Sequence, residues 1–451
     1  MDTYFHKTSN GIFHGLEKQF CYAFLGIPYA KAGRFEYASL IDDYGTINVF
    51  KPGPACMQKR AWPEFEHLEI PERAFYHKEY REGINFKYSE AEGLNLNIFM
   101  PKNEGIYPVI VFFHGGGFDS GCINESPFDG EQLARRGNVV VFIQYRVGVF
   151  GYFTHEEIQK EYGRDGNFGL DDMLKGLMWV NKNISLFRGD SANVTLMGQS
   201  AGAMSIQYLL CSKMATGLFH KAIMMSGAGL FPKFSLPRKS ADTREYWLEV
   251  MKLAGALGFE DFKNMAAYDV LAAVEKQKAL RKDNTYNTMP VIDDYILTDS
   301  IDVLIKNPLQ MPLIIGFTNN DMFTMILANI SKKYAKAHQA YLYYFDIDAK
   351  GDKNQAFHSA DLRYVFGTLG TSWRPYASSD YKVSNLMMDY ITSFAKTSDP
   401  NHTGAPVWEQ YAGKAMHFTS DEVKMDKIKG FKLFKNTFKG DPKWNGIIDS
   451  H

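Results

Sequence analysis

The sequence is poor in cysteine. Its four cysteines, Cys21, Cys56, Cys122 and Cys211, are spread over 451 residues and form neither a CxxC pair nor a Cys/His cluster at zinc spacing. A disulfide scaffold and a structural zinc site are thereby excluded, and free, mostly buried thiols are expected. There is no run of about 18 apolar residues, as a membrane-spanning helix requires. The opening "MDTYFHKTSNGIFHGLEKQF" lacks the basic start and apolar centre of a signal peptide, so a soluble, cytoplasmic protein without a membrane partner is expected. Charge of one sign is missing too: 50 Lys and Arg against 51 Asp and Glu leave a net charge of −1, no electrostatic basis for binding nucleic acid. No internal repeat, low-complexity segment or Pro/Gly-rich linker divides the chain, which predicts one domain over residues 1–451. The sequon at Asn193 falls in a predicted buried strand, where a glycan could not fit.

What the chain does have is 45% apolar residues, arranged in short β-rich runs. These are "LNLNIFM" (94–100), "YPVIVFFH" (107–114), "NVVVFIQY" (138–145), "NVTLMG" (193–198), "KAIMMSG" (221–227), "MPLIIGF" (311–317) and "AYLYYFDI" (340–347). Several are apolar at nearly every position, as strands covered on both faces must be. Between the third and fourth, "LDDMLKGLMWVNKNISLF" has helical spacing, with Asp171 and Asp172 placed in its first turn. Alternation of strand and helix predicts an α/β protein with a mostly parallel, doubly wound sheet. Residues 230–310 break the rhythm with two helical stretches, "SADTREYWLEVMKLAGALG" and "YDVLAAVEKQKALRK", and read as a cap inserted over the sheet.

The run "NVTLMG" leads directly into the helical pattern "QSAGAMSIQYLLC", which sets Gly198-Gln199-Ser200-Ala201-Gly202 as G-x-S-x-G between a strand and a helix. A serine held at so sharp a turn needs glycine two residues to either side, where a side chain would collide with strand and helix. Ser200 is therefore the candidate nucleophile. Upstream, "VIVFFH" ends in "HGGGF" (114–118), whose glycines permit backbone N–H groups to turn into a cavity. Gly116, Gly117 and Ala201 are the candidate oxyanion donors.

A serine hydroxyl needs a base, and in this strand-turn-helix setting the expected chain order is serine, acid, histidine. Six histidines follow Ser200. A site in an open α/β sheet lies beyond the carboxyl ends of its strands. His220 and His338 precede their strands, His417 lies within one, and His402 and His451 stand in distant polar segments. His358, in the loop after "AYLYYFDI", is the best candidate base. Asp321, just beyond "MPLIIGF", is preferred as acid over Asp293, Asp294 and Asp299, which precede that strand.

These motifs, with "FLGIPYA", "PGPACMQ", "YRVGVFGYF", "MMSGA", "FHSADLRYVFGTL", "FAKTSDPN" and "VWEQY", resemble in order the type-B carboxylesterases, and the later ones resemble bacterial members. The resemblance implies the α/β-hydrolase fold. It implies Ser200, Asp321 and His358 as catalytic residues, Gly116, Gly117 and Ala201 as oxyanion donors, and a supporting role for Ser226. The chain departs from the family at several points. Gln199 stands where cholinesterases have glutamate, Asp321 where many members have glutamate, and Gly93 where secreted members would pair a cysteine with Cys56. Residues 73–93 hold no choline-cradling tryptophan. The activity implied is serine-dependent hydrolysis of neutral carboxylic esters, small-molecule substrates, through an acyl-enzyme and without metal or cofactor. The same three residues would serve amides, lactones or carbamates, and some relatives on this fold are non-catalytic binding proteins. Oligomeric state is not legible.

Overall fold

Alternation within the apolar runs decides the layers. The computed structural model describes residues 2–61, 71–229, 236–281, 287–306, 308–321 and 324–428. All seven runs form strands of one sheet: β5 (Asn95–Pro101), β6 (Tyr107–Phe113), β7 (Val139–Ile143), β8 (Gly189–Gln199), β9 (Lys221–Met225), β10 (Leu313–Thr318) and β11 (Tyr341–Phe345). Val109, Val111 and Phe113 of β6 point to one face, where they meet helices α2 (Phe168–Asn183) and α3 (Ala201–Leu210). Ile110 and Phe112 point to the other, under Met387, Met388, Ile391 and Phe394 of α7 (Ser378–Thr397). Every residue of β7, β9 and β10 is buried, because helices cover both faces.

Pairing from β7 through β6, β8, β9, β10 and β11 to β12 (Ala415–Phe418) is parallel. The edges are antiparallel, through β13 (Val423–Asp426) at one end and β5 followed by β3 (Cys21–Pro28), β2 (Gly11–Glu17) and β1 (Asp2–Thr8) at the other. A short strand, β4 (Gly45–Asn48), runs parallel beside β2. The parallel, doubly wound α/β sheet is thus as expected. The amino-terminal meander is not anticipated by the seven runs, since β1 and β2 mix polar with apolar residues along half-exposed strands.

Beyond β9 the helical stretches form α4 (Arg244–Ala254), α5 (Phe259–Asn264) and α6 (Ala267–Leu280). Trp247, Val250, Phe262, Val270 and Val274 of these helices share a cluster with Phe35, Phe150, Phe153 and Phe168. Residues 230–235, 282–286 and 307 of the expected cap, and His451, lie outside the described residues. Asn193 lies within β8, where it is half-buried rather than fully buried, and its side chain accepts from Lys221 Nζ. All four cysteines are free, and a Cβ on Gly93 would lie 2.8 Å from Cys56 Sγ, so the two positions do face each other.

Helix α2 begins at Phe168, two residues earlier than its apolar spacing suggests, which leaves only Asp171 in the first turn. Asp172 is instead fully buried against Arg146. The arginine gives it Nε at 2.8 Å, Nη2 at 2.8 Å and its backbone N–H at 3.0 Å, and also donates from Nη1 to Glu36 O at 2.8 Å. The pair fastens the loop after β7 to α2 and to the amino-terminal segment. Removing one partner of a buried pair strands the other's charge. Arg146→Met is expected to lower stability by about 3–5 kcal/mol in urea unfolding, and adding Asp172→Leu to restore most of it; equal losses in single and double variants would contradict this.

Candidate active site

Strand β8 ends at Gln199 and α3 starts at Ala201, so a single residue, Ser200, makes the turn. Its backbone sits at φ 55°, ψ −122°, a conformation that non-glycine residues avoid at a cost of about 1–3 kcal/mol. The neighbouring strand β9 and helix α3 hold it there: Ser200 N–H donates to Met225 O at 2.8 Å, and Ser200 O accepts from Met204 N–H at 2.9 Å. The flanking glycines are required as expected. A Cβ on Gly202 would lie 2.2 Å from Phe113 O, and one on Gly198 2.7 Å from the carbonyl carbon of Gly202.

The same close approach brings the end of β6 against the serine. A Cβ on Gly115 would be 3.1 Å from Ser200 Cβ. Gly116, Gly117 and Phe118 then follow with φ of 114°, 63° and 61°, a tight turn in which Gly116 O accepts from Asp119 N–H at 3.2 Å and Ser120 N–H at 3.1 Å. The N–H groups of Gly116 and Gly117 make no hydrogen bond among the described residues. That of Ala201, first in its helix, has no carbonyl within the helix to reach. His114 stiffens the turn: Nδ1 donates to Gly115 O at 2.7 Å, and Nε2 accepts from Gln144 Nε2 at 3.2 Å. Burial pushes its pKa down to about 4, which keeps the ring neutral.

The acid and base candidates come together. Asp321 follows the end of β10 and is fully buried, and its Oδ1 accepts from His358 Nδ1 at 2.5 Å. Its Oδ2 accepts from Ser226 Oγ at 2.5 Å, from Thr318 Oγ1 at 3.1 Å and from Thr318 N–H at 3.4 Å. Ser226 thus touches the carboxylate directly. Two further bonds fix the acid loop, Asn319 N–H to Phe345 O at 2.8 Å and Asn320 N–H to Ala356 O at 2.9 Å. On the histidine loop, Tyr76 Oη donates to His358 O at 3.2 Å from helix α1 (Pro71–Tyr80).

With Nδ1 carrying the proton, His358 Nε2 is an acceptor, and Gln199 Nε2 donates to it at 3.0 Å. Ser200 Oγ makes no hydrogen bond among the described residues. Gln199, the neighbour of the candidate nucleophile, therefore holds the position on the imidazole that an attacking serine would use.

Three residues at the site escape the motif reading. Thr318 is one, marked only by a hydroxyl three residues before the aspartate at a strand end. The others are Asp361 and Tyr343, joined by a hydrogen bond from Tyr343 Oη to Asp361 Oδ2 at 2.6 Å. Asp361 is fully buried, and its Oδ1 has no hydrogen-bond partner among the described residues. Burial pushes its pKa up to about 6, against the Tyr343 hydrogen bond; the Asp321 charge raises it further and that of His358 lowers it. A carboxylate in the apolar stretch "FHSADLRYVFG" was the available signal. Among the described residues no group of three His, Cys, Asp or Glu side chains could hold a metal ion, and no helix is long and apolar enough to cross a membrane.

Compared with known proteins, residues 3–338 and 322–433 match the sequence profile of the Carboxylesterase family. Carboxylesterase 5A of Felis catus is 29% identical over 493 residues, covering 88% of this chain and 86% of its own. The para-nitrobenzyl esterase of Bacillus subtilis (strain 168) is 27% identical over 474 residues, with 90% and 92% covered. A solved thermophilic PNB esterase superposes with a TM-score of 0.80 at 26% identity, over 94% of this chain and 97% of that one.

Asp361 generates a prediction with a definite sign. Its raised pKa means that the folded state holds the proton more tightly than the unfolded state, so this group's contribution to stability falls as pH rises from about 4 to about 6. Asp361→Asn removes that contribution. The stability of the variant relative to the parent is expected to rise by roughly 3 kcal/mol between pH 4 and pH 7 in urea titrations. Parallel stability curves for the two proteins would rule it out.

Proposed function

Because the chain belongs to the carboxylesterase family and is a carboxylic ester hydrolase, we propose that it acts through Ser200, with His358 as general base and acid and Asp321 as the carboxylate that orients it. The observation that carries this reading is the buried Asp321–His358 hydrogen bond, with Nε2 turned to the residue beside a serine in a strained strand-helix turn.

Ser200 Oγ attacks the ester carbonyl while His358 Nε2 takes its proton. Gln199 must first yield that nitrogen, which a rotation of one side chain accomplishes. The N–H groups of Gly116, Gly117 and Ala201 stabilise the oxyanion, and their rigid placement means that no reorganisation is needed as charge develops. His358 then protonates the leaving alcohol, and water repeats the sequence on the acyl-enzyme. Asp321 keeps Nδ1 protonated and stabilises the imidazolium. Its other oxygen is occupied by Ser226 and Thr318, so the carboxylate cannot turn away.

The proposed substrates are neutral esters of modest size. Gln199 adds no negative charge beside the histidine, and residues 73–93 supply no tryptophan for a quaternary ammonium. The helices α4 to α6 form the proposed cap of a single domain.

Ser200→Ala is expected to abolish labelling by an organophosphate probe and to lower kcat for a p-nitrophenyl ester by about 10⁴ or more. Asp321→Asn should fold and lose about 10⁴ through the wrong histidine tautomer. Turnover retained in either variant would reassign that role. Across p-nitrophenyl and p-nitrobenzyl esters of graded acyl length, a neutral ester is expected to be used at least as well as its trimethylammonium isostere, judged by kcat/KM. A large preference for the cation would overturn the substrate assignment, and faster cleavage of the matching p-nitroanilide would make the protein an amidase.

A further inference from the structure

The turn bearing Gly116 and Gly117 has three successive residues at positive φ, of which only Phe118 is strained, and it ends in a charged residue that the proposed chemistry does not use. Asp119 carries a side chain only 7% exposed. Two lysines from distant parts of the chain reach its Oδ2: Lys59, from the amino-terminal segment, and Lys278, at 2.9 Å from the last turn of α6. Burial alone would raise the carboxyl pKa, yet Lys278 and Lys59 together hold it well below the usual range, so the group is ionised. Lys278 also donates to Glu275 Oε1 at 3.1 Å on its own helix, which sets the direction of its side chain. On its backbone side Asp119 closes the turn, donating its N–H to Gly116 O at 3.2 Å.

The geometry points to Lys278 as a positioning residue: through Asp119 it ties helix α6 to the glycine turn, so that the cap helices set where the oxyanion donors lie. The inference rests on the reading of Gly116 and Gly117 as those donors. Its physical basis is steep distance dependence. Oxyanion donors are effective only when fixed about 3 Å from the developing charge, and displacement by about 1 Å can cost on the order of 100-fold in rate. A glycine turn has little intrinsic preference for one conformation. An ion pair at a buried carboxylate, anchored to a packed helix, adds a restraint from outside the turn to those its own hydrogen bonds supply.

The test is Lys278→Met, which keeps the aliphatic stem and leaves Lys59 to neutralise Asp119. For a p-nitrophenyl ester, kcat is expected to fall about 10- to 100-fold with KM changed by less than about threefold. Affinity for a trifluoromethyl ketone, which forms a tetrahedral adduct on the serine, should fall by the same factor. Affinity for the corresponding methyl ether, which binds without forming an oxyanion, should hold. Lys278→Arg is expected to recover most of the loss, and the thermal midpoints of both variants distinguish it from unfolding. Unchanged kcat and ketone affinity in folded Lys278→Met, or a loss confined to KM, would overturn the inference while leaving the proposed function standing. If Lys278→Met does not fold, Lys278→Arg carries the test alone, and a tenfold loss of kcat with the ion pair retained counts against it. Failure of the parent protein to hydrolyse esters or bind the ketone would instead defeat the underlying reading.

Discussion

The approach of α3 to the end of β6 governs the geometry of the whole site. Gly202 lies so near Phe113 that no side chain fits between them, and this contact compresses the strand-helix turn until one residue must span it. The strained backbone of Ser200 follows from that compression, as does the proximity of the Gly115 to Gly117 turn, which simply continues β6 past the contact. The proposed nucleophile and the proposed oxyanion donors thus arise from a single packing constraint between adjacent parallel strands, and each needs the other in place.

The far side of the site is organised by buried negative charge. Donors converge on both oxygens of Asp321, and His358 is oriented as a result. Asp361 lies close enough to influence both, yet receives one phenolic hydrogen bond and, among the described residues, leaves its other oxygen without a partner. The two aspartates differ in their partners: Asp321 is held by several donors, whereas Asp361 is driven by burial towards neutrality. Gln199 completes the arrangement with a neutral amide at the position where a third carboxylate would have added to the same local charge.

Much of this was legible in the residues. The parallel strands could be read because burial on both faces leaves little room for polar residues, and the turn motifs because steric exclusion demands glycine at fixed offsets. His358 and Asp321 could be chosen because strand ends mark where a site must lie, and they do share a hydrogen bond. The amino-terminal meander could not be read, since half-exposed antiparallel strands such as "TYFHKT" carry no uninterrupted apolar run. Nor could the partners of Asp172 and Asp119. Asp172 looked like a helix-start residue and proved to be a buried anchor for Arg146, because an ion pair between distant segments leaves no local periodicity. The Gln199 contact with the imidazole was likewise invisible: its identity was plain, but its direction depends on packing.

The hydrogen bonds around His358 also differ in the length of chain they close. Asp321 and His358 are separated by 37 residues, whereas Gln199 and His358 are separated by 159. The first contact joins neighbouring strands β10 and β11 and costs little loop entropy; the second needs β8, β9 and β10 stacked in register with the intervening helices folded. The acid–base contact is thus the more local of the two, whereas bringing it to the residue beside the serine requires the sheet to be assembled from β8 through β11.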